Sequence, residues 1–376
     1  MDFTHSDDRR MLADMAARFV REKYTIEKRH EFAASDEGFS REIWAEFAEL
    51  GLIGAMFGED VGGFGGSGFD LAVVFEELGK GLVVEPMLAN LVAGKLIEYA
   101  GGPEQKLLLD KVIGGETLIS FAHSEPDSHY DLAHVATRAE KTEKGYRLTG
   151  HKSAVLNGDS ADLLIVSARI SGNVDDEDGI ALFLVNPRAD GVSIRGCPTV
   201  DGGRVGDIAL DGVEISDKVM LGDGTDCFAH IEKATAAGIV AISAEALGAM
   251  QVATEMTLEY LKTRKQFGVI IGRFQVLQHR YAEMLIEIEQ VRSSLINAAG
   301  QLDGGRELRE WNVSALKNLV GRVGHLVAEE CIQMHGGIGM TWEYALPHFA
   351  KRLTMIDHQF GDEDYHIERV IALSAV

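Results

Sequence analysis

The sequence predicts an α+β fold in which a helical stretch, a β-rich stretch and a second helical stretch follow one another. Three observations predict it. Between residues 6 and about 115, apolar residues recur three or four apart: Met11, Met15, Phe19 and Val20, then Ile43, Trp44, Phe47 and Leu50, then Leu71, Val74, Phe75 and Leu78. That spacing lines one face of a helix. From 117 to about 222 the pattern changes to short β-rich runs, at 146–148, 163–168 and 180–185, separated by Gly, Asn and Asp turns. After Cys227, long stretches with few breakers at 231–264, 274–302, 308–335 and 365–373 read as a bundle of long helices. The expected division is therefore 1–115 helical, 116–225 β and 226–376 helical. No internal repeat or low-complexity segment is apparent, and 173–179 reads as a solvated acidic loop.

Composition bounds the function. With 376 residues, 46% of them hydrophobic and 25% charged, the chain is long enough for a sizeable core or for two or three packed domains. A formal net charge of -23 argues against nucleic acid, whose phosphates need Lys and Arg to displace counterions. The same acidity suits a partner with a basic face. Cys197, Cys227 and Cys331 have no metal-ligand spacing, so neither a disulfide framework nor a metal site is expected, and a reducing cytoplasm fits best. The opening MDFTHSDDRRML has no signal-peptide core, and no apolar run reaches the roughly 18 residues of a membrane span.

The stretch GGFGGSG at 62–68 superficially matches a dinucleotide fingerprint. Gly63, Gly65 and Gly68 fit G-x-G-x-x-G, and Glu85 follows at about the spacing of a ribose-binding acid. A Rossmann site needs those glycines after a strand of a parallel sheet, whereas helical pattern stands on both sides here. The favoured reading is a glycine-rich turn, with Ser67 and Asp70 forming a capping box that opens a helix over 70–78.

The segment FAELGLIGAMFGEDVGGFGGSGFDLAVVFEELGKGL at 47–82 resembles the N-terminal helical domain of acyl-CoA dehydrogenases. TRKQFG at 263–268, FQVLQHRYAEM at 274–284 and QMHGGIGMTWEY at 333–344 resemble three C-terminal motifs of that family, in the same order. The likeness covers essentially the whole chain. It implies a helical domain, a central β domain and a C-terminal four-helix bundle, with FAD lying extended between two subunits. Arg264 is then a forked, permanent cation for the pyrophosphate, and Phe267 a ring to pack on an adenine or flavin-side surface. Gln275 and Gln333 add polar contacts, and Gly336 and Gly337 let backbone amides approach phosphate.

The β half departs from the family pattern. The resemblance assigns Phe121 and Ser124 to the flavin side, but the family's A-x-T-E-P-G-A-G-S-D stands here as AHSEPDSHYD, bulkier and more negative at 127–130. The flavin-covering W-I-T is replaced by Ala154, Val155 and Leu156. His123 and His129 lack an accompanying nucleophile or metal-ligand spacing and read as solvated loop histidines.

In the family a carboxylate removes the α-proton of an acyl-CoA thioester while the β-hydrogen leaves as hydride to the flavin, giving a trans-2-enoyl-CoA. Anchoring on Ile367, Glu368 and Arg369 puts Asp362 at the base position; anchoring on Lys351 and Arg352 puts Gly361 there. The alternative base position, on the first bundle helix, falls at about Gly238, with Glu245 two turns on. Asp362, Glu363 and Asp364 also suit a turn capping the last helix. Two readings stand. One is an FAD-dependent acyl-CoA dehydrogenase using Asp362, with an electron-transfer flavoprotein as acceptor. The other is a subunit that completes the FAD site of a second, dehydrogenase-like chain, as in the small subunits of two-component bacterial enzymes of the pimeloyl-CoA dehydrogenase kind. Either implies a homo- or hetero-oligomer.

Overall fold

Several helices of the first stretch start where a short side chain accepts a backbone proton. Ser6 accepts from Arg9 N–H at the head of α1 (Asp7–Lys23), and Ser40 from Ile43 N–H at the head of α3 (Arg41–Glu49). Between them lies α2 (Ile26–Ala33). The computed structural model describes residues 6–224 and 227–375.

At the head of α4 (Gly68–Gly81) the expected capping box is present. Ser67 Oγ accepts from Asp70 N–H, and the Asp70 carboxylate accepts from Ser67 N–H at 3.1 Å. Arg9 clamps it from α1, donating to Asp70 Oδ1 at 2.7 Å. The glycines ahead of it serve close approach: a Cβ on Gly63 would lie 2.2 Å from Phe57 O, and Gly66 has a φ of +83°. Glu85 is buried and accepts from Ser40 N–H at 3.2 Å. It tethers the start of α3, and the fingerprint reading has no ribose acid.

The helices α5 (Met87–Ala100), α6 (Pro103–Lys106) and α7 (Leu108–Ile113) complete the first stretch. The β stretch supplies β1 (Ile119–Ala122), β2 (Arg138–Thr142), β3 (Gly145–Leu156), β4 (Leu163–Arg169), β5 (Ile180–Val185), β6 (Val192–Pro198) and β7 (Arg204–Ser216). Beyond them stand α8 (Cys227–Thr263), the small strands β8 (Lys265–Gln266) and β9 (Val269–Ile270), α9 (Gln275–Gln301), α10 (Arg306–His335), α11 (Leu346–Asp357) and α12 (Glu363–Ser374). The sequence pattern marks four helical stretches here; α11 is a fifth. Gly336, Gly337 and Gly339 break the periodicity ahead of it, and Pro347 stands in its first turn.

Packing groups the chain into two compact units. One is drawn from Met1–His30, Ser67–Val83 and Ile239–Val376, the other from Glu31–Gly66 and Val84–Gly238. In the first, α10 packs against α9, α11 and α12, and α4 against α1 and α9. Glycines let α4 and α8 touch backbone to backbone: a Cβ on Gly79 would lie 2.1 Å from Glu245 O, and one on Gly248 2.0 Å from Glu76 O. Helix α8 corrects the hydropathy expectation. An 18-residue window within its 37 residues has mean hydropathy 1.5, enough to cross a membrane by length and composition, but 89% of that window is buried. It is a core helix.

In the second unit seven strands form a mixed sheet in the order β1-β4-β2-β3-β7-β6, with β5 also paired to β4. β1 runs parallel to β4, and the remaining long pairings are antiparallel. Ala122, Leu148, Val155, Val166, Phe183 and Ile208 are buried in its core. Asn90 of α5 accepts from Ile119 N–H at 2.8 Å, fixing the helix to the start of β1. The three cysteines are free, two of them buried.

If the glycine-rich segment is a turn, Ser67→Ala should lower unfolding stability by about 1 kcal/mol through the lost cap, with nucleotide binding unchanged. Denaturant midpoints and flavin content measured side by side check this.

Candidate functional site

The residues that the sequence assigned to a cofactor fall in both units. Six lie in the bundle unit, at exposed positions: Arg264, Phe267, Gln275, Gln333, Gly336 and Gly337. Arg264 follows directly on α8. Its N–H donates to Tyr260 O at 2.8 Å, and its carbonyl accepts from Ile271 N–H at 2.9 Å. The guanidinium makes no ion pair among the described residues. The hairpin β8–β9 turns through Phe267 and Gly268, with φ of +53° and +79°. A left-handed backbone is costly for an aromatic residue, and this one holds its ring 89% exposed, edge-on to Phe274 at 6.4 Å. Gln275 opens α9, whose N-cap Phe274 offers no side-chain cap, so the amide end of a long helix stays uncapped beside an exposed amide side chain.

Gly336 ends α10 with a φ of +67° and ψ of −146°, a conformation that favours glycine. Gly337 has no such reason. Its φ is not left-handed, and a Cβ added there, as on Gly336, would meet nothing within 4 Å. This chain's own packing does not demand a glycine at 337, and the space beside it is open. A forked cation, two amides, an uncapped helix start and an open glycine pair are a donor set suited to phosphates.

The other two, Phe121 and Ser124, lie in the sheet unit. Phe121 is half-buried and stacks on His123 at 4.9 Å, while Ser124 is exposed and its carbonyl accepts from Ser153 N–H at 2.8 Å. His123 is not the solvated loop residue expected: it is buried, because it continues β1 and enters a charged network beneath the strand. Lys152, with no exposed surface, donates to His123 O at 3.1 Å, Glu125 Oε1 at 2.7 Å and Ser167 Oγ at 3.0 Å, which uses all three of its protons. Ser167 Oγ also shares a hydrogen bond with His123 Nδ1 at 2.9 Å. Burial and the Lys152 charge push His123 down to about 3, so the imidazole is neutral. Burial, opposed by Glu125, pushes Lys152 down to about 8.

Glu125 also accepts from Ala136 and Thr137 N–H at 2.8 and 3.0 Å, and Arg169 donates to the carbonyls of Ala133, Val135, Val174, Asp176 and Asp178. The loop at 127–131 is thus braced at both ends. Within it His129 and Tyr130 hold φ of +43° and +72°. The backbone follows a path that glycine adopts cheaply, but it carries an imidazole and a phenol there. His129 is exposed, as expected. Ala154, at a bulge between β3 and β7, also has a positive φ, +51°, where the family's aromatic stands.

Three of the four base positions, Asp362, Gly361 and Glu245, lie in the bundle unit. Asp362 is the N-cap of α12: its Oδ1 accepts from Tyr365 N–H at 2.9 Å. Gly361, the residue of the other register, has no room for a side chain. Its φ is +109°, and a Cβ would lie 2.4 Å from Tyr365 Cδ1 and 2.7 Å from His366 Nε2. Its carbonyl accepts at 2.5 Å from Lys317, a wholly buried lysine that also donates to Asp357 O at 2.9 Å. Burial, opposed by Asp357, Asp362 and Glu363, pushes Lys317 down to about 8. His366 Nε2 donates to Phe360 O at 2.9 Å. Glu245 is buried and held by both oxygens, at 2.5 and 2.8 Å, on the Arg352 guanidinium. Gly238, in the sheet unit, has no side chain to offer. Sequence reasoning missed Lys317, which sits mid-helix without a local motif.

Three family profiles match the chain in order: acyl-CoA dehydrogenase N-terminal domain at residues 6–116, middle domain at 120–213 and C-terminal domain at 228–373. A probable acyl-CoA dehydrogenase, YngJ of Bacillus subtilis, is 28% identical over 99% of this chain and 98% of its own. The solved ChsE4-ChsE5 complex from Mycobacterium tuberculosis contains a chain 25% identical, with a TM-score of 0.90, covering 100% of this chain and 99% of that one. A variant of the Tcur3481-Tcur3483 steroid ACAD is 29% identical at a TM-score of 0.88, covering 98% of each chain. With all three domains matched in order on an α+β fold, the chain belongs to the acyl-CoA dehydrogenase family, the FAD-binding flavoprotein oxidoreductases.

Proposed function

We propose that this chain serves in acyl-CoA dehydrogenation as the subunit that completes a partner chain's FAD site and supplies no base of its own. The observation that carries the reading is Asp362, whose carboxylate is engaged as the N-cap of α12. The other positions offer no substitute: Gly361 is closed to any side chain, and Glu245 is held by Arg352. Aspartate is also one methylene short of the family's glutamate, and about 1 Å of misplacement costs on the order of a hundredfold in rate.

The asymmetry between the cofactor halves supports the same reading. FAD, when bound, is the hydride acceptor of the reaction. Toward its diphosphate the bundle unit offers Arg264, Gln275, Gln333 and the Gly336–Gly337 amides, unencumbered by the chain's own packing. Toward the flavin, the sheet unit offers Phe121 and Ser124 beside a braced loop that carries Asp127, His129 and Tyr130. Two of the similar structures are named as pairs of chains. The substrate of the complex is an acyl-CoA thioester, and the net charge of -23 favours an electron acceptor with a basic face, such as an electron-transfer flavoprotein.

Two variants test the reading. Arg264 is exposed, so Arg264→Ala should move stability by no more than about 0.5 kcal/mol while FAD retention by the complex falls; unchanged flavin absorbance would remove Arg264 from the site. Asparagine caps helices about as well as aspartate, so Asp362→Asn should leave the fold intact. On the proposed reading, anaerobic flavin bleaching by acyl-CoA in the complex stays near wild type. A loss on the order of a hundredfold or more, the scale of a missing general base, would instead make Asp362 the base and this chain a catalyst in its own right.

A further inference from the structure

Trp342 lies six residues past Gly336, on the segment that joins α10 to α11, and is 61% exposed. For so exposed a ring it is closely held. His30 of α2 stacks on it at 5.1 Å and 25°, His348 of α11 meets it edge-on at 4.8 Å, and Lys351 Nζ lies 4.8 Å from its centroid. The two imidazoles meet each other at 4.4 Å. His348 Nε2 donates to the Trp342 carbonyl at 2.9 Å, so the backbone of Trp342 is pinned as well as its ring. His30 Nε2 is buried and has no hydrogen-bond partner among the described residues.

The charged groups facing this cluster are few and unbalanced. Arg29 and Lys351 face both imidazoles, and Glu27 is the acid that faces His30. Protonating the pair would place two imidazolium rings in contact, beside two fixed cations and one carboxylate, around a buried nitrogen with nothing to receive its proton.

We propose that His30 and His348 are positioning residues for the cofactor-side segment, clamping Trp342 while neutral and releasing the segment at 336–345 when protonated. The proposal rests on the reading that places Gly336 and Gly337 against FAD. Burial first, then His348 and Arg29, hold His30 below the ordinary imidazole range; burial, then Arg29 and Lys351, hold His348 below it. The sign follows from that direction. A histidine whose folded pKa is depressed contributes fully above its unfolded value of about 6.5 and loses that contribution as pH falls below it. The clamp is therefore intact at pH 7 to 8 and loosens in mild acid.

The test uses two readouts. In the chain alone, the difference in tryptophan emission between wild type and Trp342→Phe isolates Trp342 without disturbing Trp44 or Trp311. It should weaken or shift to the red as pH falls from about 7.5 to about 4.5, a window that extends well below the ordinary imidazole value of about 6.5. In the double variant His30→Phe, His348→Gln, an aromatic ring and an amide donor remain but the titrating groups are gone, so the change should vanish. In the complex, wild-type FAD retention should drop several-fold over the same range and clearly less in the double variant, where His335, 3.2 Å from Tyr344 Oη, is the remaining histidine at the head of the segment. A flat wild-type difference emission, a pH dependence that survives in the double variant, or equal flavin loss in both proteins would each overturn the proposal. The emission arm contains no flavin and fails only if the clamp fails, whereas Arg264→Ala tests the cofactor-side reading separately.

Discussion

A lysine without exposed surface cannot leave its protons unanswered, and Lys317 answers two of them with the carbonyls of Asp357 and Gly361. That requirement fixes the short connection between α11 and α12. With His366 holding Phe360 O, the chain is turned so that Gly361 takes a φ no L-residue favours, Tyr365 and His366 fill the space where its side chain would go, and Asp362 arrives at the start of α12 with its carboxylate over the first turn. On the proposed reading, the position that the resemblance gives to a base is here a helix cap, with Asp362 Oδ1 accepting from Tyr365 N–H. Removing Lys317 would leave two carbonyls without their donor, so the turn between α11 and α12 depends on it.

The same contrast between local demand and outside demand separates the two cofactor halves. Gly63, Gly79 and Gly248 explain themselves, because each sits where a Cβ would strike backbone. Gly337 does not, and an aromatic ring as exposed as Phe267, held at a left-handed φ, has no internal reason either. Features that a chain carries without needing them for its own packing point outward. On the sheet side the logic runs the other way. Glu125, Lys152 and Arg169 are satisfied inside the unit, and the loop they brace carries an imidazole and a phenol at left-handed φ.

Much of the architecture was legible because it rests on local rules. The capping box at Ser67 and Asp70, the runs within β3, β4 and β5, and the long helices α8, α9 and α10 follow from spacing alone. Helix α11 is hidden by the glycines before it and the proline in its first turn. His123 was misread because burial at a strand end depends on Lys152 and Ser167, residues 29 and 44 positions away. Lys317 was invisible for the same reason: its acceptors are backbone carbonyls 40 and 44 residues on, and a carbonyl carries no sequence signature. Counting from either anchor leaves Gly361 and Asp362 both open, and what the structure adds is that a side chain at 361 would strike Tyr365 and His366.

The central claim is that this chain holds half of a flavin site and no base. The most direct measurement is the flavin-to-polypeptide ratio of the chain purified alone, saturated with FAD, desalted and then exposed anaerobically to an acyl-CoA. A subunit that holds half of a flavin site and no base should give a ratio well below one and no bleaching of whatever flavin remains. One FAD per chain, bleached by the thioester, would contradict it.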